Sequence, residues 1–130
     1  MRQLHQLSLF VLLIGCASPV APAAIDGTWG STQAGLVITR AGGSLTLQCG
    51  SGTIDSGWTL TSDGDFSASG VTYGGGGPDP VGGRPPRPSV FTGRVNGDTF
   101  TLSIVVTAAN ATIGPLVMQR NGPAISQRCL

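Results

Sequence analysis

From Gly27 onward, apolar and polar residues alternate in short runs that are cut by Gly, Asn and Asp. No stretch repeats apolar residues at the spacing of three and four that a packed helix requires. A period of two belongs to strands with one buried face, and short strands with frequent turn signals predict an all-β sandwich or barrel. The segment around Asn96-Gly97 tests the register. Asn-Gly predicts a two-residue type I′ turn, because both positions need positive φ. That turn pairs Val95 with Asp98, Gly93 with Phe100 and Phe91 with Leu102. The apolar residues then share one face, and Thr92, Arg94, Thr99 and Thr101 share the other. A three-residue loop would set Arg94 against Phe100 and mix the faces, so the hydrophobic pattern selects the shorter one. Phe100, Leu102, Ile104 and Val106 are expected in the core, with an aromatic ring covering Gly93.

The same alternation places strands at Gly27–Ser31, Gly35–Arg40 and Ser44–Cys49, the last with Leu45, Leu47 and Cys49 facing the core. Ala41-Gly42-Gly43 is read as the turn between the second and third. A short strand follows at Thr53-Ile54, then Trp58–Thr61, a turn at Ser62-Asp63-Gly64, and Asp65–Tyr73. A second Asn-Gly, Asn121-Gly122, is expected to join Ile113–Arg120 to Ile125–Leu130, though Pro123 weakens that pairing. Roughly eight short strands with tight connections predict a small antiparallel up-and-down β-barrel. The exception to the pattern is Gly74–Pro88 (GGGGPDPVGGRPPRP), read as a long flexible loop. Gly27-Thr28-Trp29 resembles the GxW that opens lipocalin-like barrels. The resemblance implies a Trp closing one barrel end and a late-strand arginine stacked over it, a place that Arg128 takes in this sequence.

Residues 1–15 have the pattern of a signal peptide: Met1-Arg2, then an apolar run from Leu7 to Ile14 broken only by Ser8. That run falls short of the roughly 20 residues that cross a bilayer. Leu13-Ile14-Gly15-Cys16 is similar to the lipobox of bacterial lipoproteins. The resemblance implies diacylglyceryl transfer to the Cys16 thiol and cleavage before it. Residues 16–25 are then a lipidated Cys and a flexible tether, with Pro19 and Pro22 among small residues. The alternative is an ordinary signal peptide cut near Ala17 or Ala24, with Cys16 discarded or a passenger. With Ala17 rather than Asp after the lipidated residue, the resemblance implies the outer membrane if the source is Gram-negative. Residues 26–130 are the barrel domain.

About 105 residues from Ile25 suffice for one core. After Cys16 the chain holds six Asp and six Arg but no Lys, Glu or His. That excludes a His base, a Lys Schiff base, a Glu acid and a His-rich metal site, and no basic stripe suggests nucleic acid. Serines without a base are not nucleophiles. The Gly74–Gly77 run lacks the Lys and helix of a phosphate-binding loop. Asp63-Gly64-Asp65 lacks the further oxygens of a calcium loop. No enzyme activity, cofactor or metal is therefore expected. Cys49 and Cys129 remain once Cys16 takes lipid, and an even pair in an exported chain reads as a disulfide. Arg84 and Arg87 can form an anion-contacting edge.

Two further resemblances cover the barrel. The order GTWG, LQC-GTID, FSASGVTYGGGGP, FTGRVNGDTFTLSI and a terminal Cys-Leu resembles a family of small exported bacterial β-domains, from Gly27 to Leu130. Ser67–Tyr73 (SASGVTY) is similar to the SGxxY segment of membrane-bound C-type lysozyme inhibitors. Carried over, Ser69 would be the serine that enters the lysozyme cleft and Tyr73 the aromatic. The Lys of that family's second loop is missing here. The expected function is a non-catalytic, lipid-anchored module of the cell envelope, monomeric, held to the membrane through Cys16, with a protein as candidate partner. The alternatives are a lysozyme or protease inhibitor acting through Ser69–Tyr73, and a carrier of a small apolar ligand inside the barrel.

Overall fold

A computed structural model describes residues 25–75, 77–125 and 129. The expected signal peptide, lipidated Cys16 and tether lie outside the described residues, as does Arg128. Nine strands run in order: β1 Gly27–Gly30, β2 Ala34–Thr39, β3 Gly42–Leu47, β4 Gly50–Ile54, β5 Thr59–Leu60, β6 Asp65–Gly74, β7 Arg87–Asn96, β8 Thr99–Val106 and β9 Ala111–Arg120. All pairings are antiparallel, and strands bond to their neighbours in sequence except that β4 pairs with β6 in place of β5 and β1 with β9. β1 pairs with β9 through Trp29 opposite Arg120 and Gly30 opposite Gln119. That contact closes an eight-strand barrel, the architecture expected from the alternation. β5 stands outside the ring. It pairs with Phe66 and Ser67 at the end of β6 that β4 does not reach.

Closure leaves two ends. One carries the entering chain at Ile25, the β2–β3 turn, the β4–β6 connection and the β7–β8 turn, and is filled by aromatic rings. The other carries the β1–β2 and β3–β4 turns, residues 75–86 and the β8–β9 connection, and is called the loop end below. Between them the alternating positions of β2, β6, β7 and β8 point inward. Leu36, Ile38, Leu45, Ile54, Phe66, Phe91, Phe100, Leu102, Ile104 and Met118 are all buried there. Burying one such side chain stabilises the fold by about 1.5–3 kcal/mol.

The β7–β8 hairpin corrects one expectation. Asn96 pairs with Thr99, Val95 with Phe100, Gly93 with Leu102 and Phe91 with Ile104. The two turn residues are Gly97 and Asp98, not Asn96 and Gly97. Gly97 has φ +60 while Asp98 is not in the positive region, the sign pattern of a type II′ turn with Gly first. The register differs from expectation by two residues, so every side chain keeps its face. A Phe100 edge carbon still lies 3.2 Å from where a Gly93 Cβ would stand.

Two other boundaries moved. The β2–β3 turn is Arg40-Ala41, because Gly42 and Gly43 continue the ladder against Thr39 and Ile38. β3 ends at Leu47, and Cys49 sits exposed in the β3–β4 turn rather than facing the core. Of the expected strand Ile125–Leu130, residues 126–128 and 130 lie outside the described residues; Asn121 donates from its backbone to the Thr28 carbonyl. β9 bulges where Gly114 and Pro115 together oppose Ser103. Proline has no N–H for the ladder, and a bulge is where a strand accommodates it.

Gly70 is the position where the barrel wall most needs a missing side chain. A Cβ there would collide with the Thr53 carbonyl and lie 2.9 Å from the Phe91 ring. Gly70→Ala is expected to cost about 1–3 kcal/mol, the range for overpacking. Urea denaturation checks it; an unchanged midpoint would show that the wall can widen.

Candidate functional site

The aromatic end is built from four rings in contact. Trp29 lies 5.5 Å from Phe100, Phe100 5.4 Å from Phe66, and Phe66 5.9 Å from Trp58. Each Trp is fixed at its nitrogen. Trp29 Nε1 donates to the Ile25 carbonyl at 2.8 Å, and Trp58 Nε1 to the Thr39 carbonyl at 2.8 Å. Each also carries a guanidinium over its ring, Arg120 at 4.3 Å on Trp29 and Arg40 at 4.6 Å on Trp58. A cation–π contact contributes about 0.5–1 kcal/mol when exposed and more when desolvated. Arg120 further bonds Asp98 Oδ1 at 3.2 Å and the Asp26 carbonyl at 3.4 Å. An arginine therefore covers Trp29, and it is Arg120; Arg128 lies outside the described residues. The β1–β9 closure sets Arg120 directly opposite Trp29.

Ser69 and Tyr73 lie on the outward side of β6, two positions in the middle and near the end of a ten-residue strand. Ser69 pairs with Val90 across β7 and accepts the Asp55 N–H at 2.9 Å on its other side. Tyr73 stands opposite Ser51 of β4 and is half-buried. These two residues share a barrel wall, whereas a serine that enters an enzyme cleft needs a projecting loop tip.

The loop end gathers the remaining candidates. Cys49 and Cys129 are placed for a disulfide, with Cα atoms 5.1 Å apart, inside the usual range. The Cys129 N–H donates to the Gln48 carbonyl at 3.0 Å, and Gly75 to the Cys49 carbonyl at 3.0 Å. Residues 77–84 fasten themselves internally. Arg84 pairs with Asp79 at 2.9 Å and donates to the Gly77 carbonyl at 3.1 Å, and Gly83 closes a turn on Pro80. Arg84 is thus engaged within its own loop. Arg87 is not a loop residue, since it opens β7 opposite Thr72. The two arginines thus belong to different elements, Arg84 to the β6–β7 connection and Arg87 to β7.

β9 runs past the end of the short β1 and leaves a notch there. Gln33, Leu47–Cys49 and Ile113–Leu116 line it, with a volume of about 470 Å³. A second hollow of about 320 Å³ lies on the outer face of β1–β3 beside Gly122–Ile125. Both open to the surface. Along the barrel axis lie the buried side chains of the core, Phe91, Phe100, Leu102, Ile104 and Met118 among them.

Comparison with known families, with curated proteins and with solved structures finds no match to this chain. The resemblances therefore rest on the residues quoted for them, and function has to be argued from this chain alone. Among the described residues no three Cys, Asp, His or Glu side chains come together as a metal site would need.

Proposed function

We propose that the chain is an exported, lipid-anchored module of a bacterial cell envelope that works by binding at the surface of its barrel, without catalysis. The observation that carries this is the filled interior. Trp29, Phe91, Phe100, Leu102, Ile104 and Met118 are all fully buried along the barrel axis, so a ligand has only the outer wall and the rims to meet. A short barrel packed with side chains is a scaffold and not a container.

Placement follows from the entry point. Ala17–Ala24 supplies eight residues between Cys16 and the domain, about 25 Å if extended as a Pro-containing segment. The chain enters at the aromatic end, so the tether would join the domain there and the loop end would lie farther from the membrane. The aromatic end holds Asp26, Asp55, Asp63, Asp65 and Asp98 against Arg40, Arg94 and Arg120. A surface with excess acid is repelled by anionic headgroups. Attachment is then left to the acyl chains, at about 0.8 kcal/mol per buried CH₂.

Mass spectrometry of the mature N-terminus is the direct test. The expected result is a chain beginning at Cys16 with added acyl mass, and loss of that mass with release from membranes in Cys16→Ala. A mature N-terminus beyond Cys16 would end the anchoring proposal. For the outer wall of β6, Ser69→Ala is expected to leave lysozyme activity in a mixed assay unchanged relative to the unsubstituted protein.

A further inference from the structure

We infer that the loop end holds an oxyanion site centred on Arg87. Alternate residues of β7 point inward, and Arg87 occupies the first such position, above Ser89 and Phe91. Beneath it lies the one buried pair of hydroxyls among the described residues. Thr72 and Ser89 are 2.9 Å apart, and the Ser89 hydroxyl donates to the Arg87 carbonyl at 2.9 Å. A serine has one proton to give. With that proton on the Arg87 carbonyl, Thr72 must be the donor to Ser89. The hydroxyl chain is complete in itself and leaves nothing for the guanidinium.

Arg87 Nε is buried and has no hydrogen-bond partner. Every other described arginine is engaged: Arg84 with Asp79, Arg94 with Asp65, Arg120 with Asp98, and Arg40 over Trp58. No described aspartate serves Arg87. Asp79 is the only aspartate at the loop end, and it is paired. A buried donor without a partner costs about 1–3 kcal/mol, more when charged, and native proteins rarely carry one.

The space beside the guanidinium is shaped by glycine. A Cβ on Gly74 would lie 3.7 Å from Arg87 Nη2, and Gly75 follows. Gly74 therefore sets no side chain against that edge of the guanidinium. The planar fork of Nε and Nη2 matches a carboxylate or phosphate through two parallel, charge-assisted bonds. The occupant is a small oxyanion from solution, and the class is shared by carboxylates and phosphates. As a use of the rim, the site rests on the outward-facing loop end proposed above. Binding itself does not depend on the anchor, so the N-terminal mass and the titration below fail separately.

The test is an NMR titration of arginine Nε–H signals in the exported protein with its native N-terminus. Sodium acetate and inorganic phosphate are added in separate arms against sodium chloride at matched ionic strength. The Arg87 signal is expected to move saturably with at least one oxyanion, while those of Arg40 and Arg94 do not. Saturation by acetate alone assigns a carboxylate, and by phosphate alone a phosphate. Arg87→Lys keeps the charge but loses the fork, and should weaken the thermal stabilisation by the same anion about tenfold in concentration. Gly74→Asp supplies a carboxylate within the chain and should abolish the response to added anion. An Arg87 signal that drifts with salt as Arg40 does would overturn the site. So would equal stabilisation by oxyanion in the unsubstituted protein and in Arg87→Lys.

Discussion

Trp29→Ala is expected to destabilise the barrel by about 4–5 kcal/mol, the upper part of the range for removing a buried aromatic. Whole domains of this kind are stable by only about 5–15 kcal/mol, so the variant should populate unfolded chain measurably at 37 °C. Trp29 is fully buried, and the loss has three separable parts. The ring leaves a cavity against Phe100, 5.5 Å away. The Ile25 carbonyl loses its donor at 2.8 Å. Arg120 loses the ring it covers at 4.3 Å. The third part matters beyond its own energy, because Arg120 sits opposite Trp29 in a closure only two residue pairs long. Trp29→Phe separates these parts. It keeps most of the volume and a ring for Arg120 but drops the hydrogen bond, and should cost about 1–2 kcal/mol through the unsatisfied carbonyl and the smaller ring. Urea denaturation followed by Trp58 fluorescence measures both variants. A Trp29→Ala loss near that of Trp29→Phe would mean that the aromatic end does not hold the barrel closed.

The same closure shows what the sequence could and could not reveal. Alternation assigned Leu36, Ile38, Leu45, Phe100, Leu102, Ile104 and Val106 to one face, and those residues are buried. Alternation is insensitive to a slip of two, so it could not tell a turn at Asn96-Gly97 from one at Gly97-Asp98. Only the sign of φ separates them. Asn96 stays on the strand, and Gly97 alone supplies the positive φ. Cys49 followed Leu45 and Leu47 in the period of two, yet the strand stops at Leu47 because Gln48-Cys49 must turn the chain into Gly50. Local pattern carries no information about where a strand yields to its connection.

The site residues were less legible, for a related reason. Arg120 and Arg128 are equivalent as late arginines. What sets Arg120 against Trp29 is the long-range pairing of β1 with β9, which no local signal encodes. Arg84 and Arg87 looked alike in RPPRP. Asp79 captures the first across the loop at 2.9 Å, and the β6–β7 ladder takes the second as a strand residue opposite Thr72. Ser69 and Tyr73 share a face, as a separation of four in a strand requires. Whether that face is a wall or a tip depends on how far β4 and β7 run beside it.

The cysteine pair makes the other large effect, through the unfolded chain. Cys49 and Cys129 are separated by 80 residues, and closing a loop of that length removes unfolded-state entropy worth about 4.5 kcal/mol in the chain-entropy account, with typical measured values of about 2–4. Neither cysteine belongs to the buried core. Cys49 is exposed in a turn, and Cys129 reaches the barrel by one backbone bond to Gln48 at 3.0 Å. Removing the bond should therefore lower stability without altering the folded ring. Cys129→Ser is expected to lose about 2–4 kcal/mol and to lower Tm by about 10–20 °C for a domain of this size. Its far-ultraviolet circular dichroism at 20 °C should match that of the unsubstituted protein. Cys49→Ser should give the same loss, and the double variant no more than either alone, because the second substitution has no bond left to remove. Additive losses would show that each cysteine acts through its own contacts. A loss below about 0.5 kcal/mol would be that of an ordinary surface substitution, and would show that the pair is not joined. The oxidised protein should also lose the same increment on reduction with dithiothreitol, and the double variant should not respond. The barrel would then depend on an oxidising compartment for that part of its stability, which is the setting that Leu13-Ile14-Gly15-Cys16 would deliver it to.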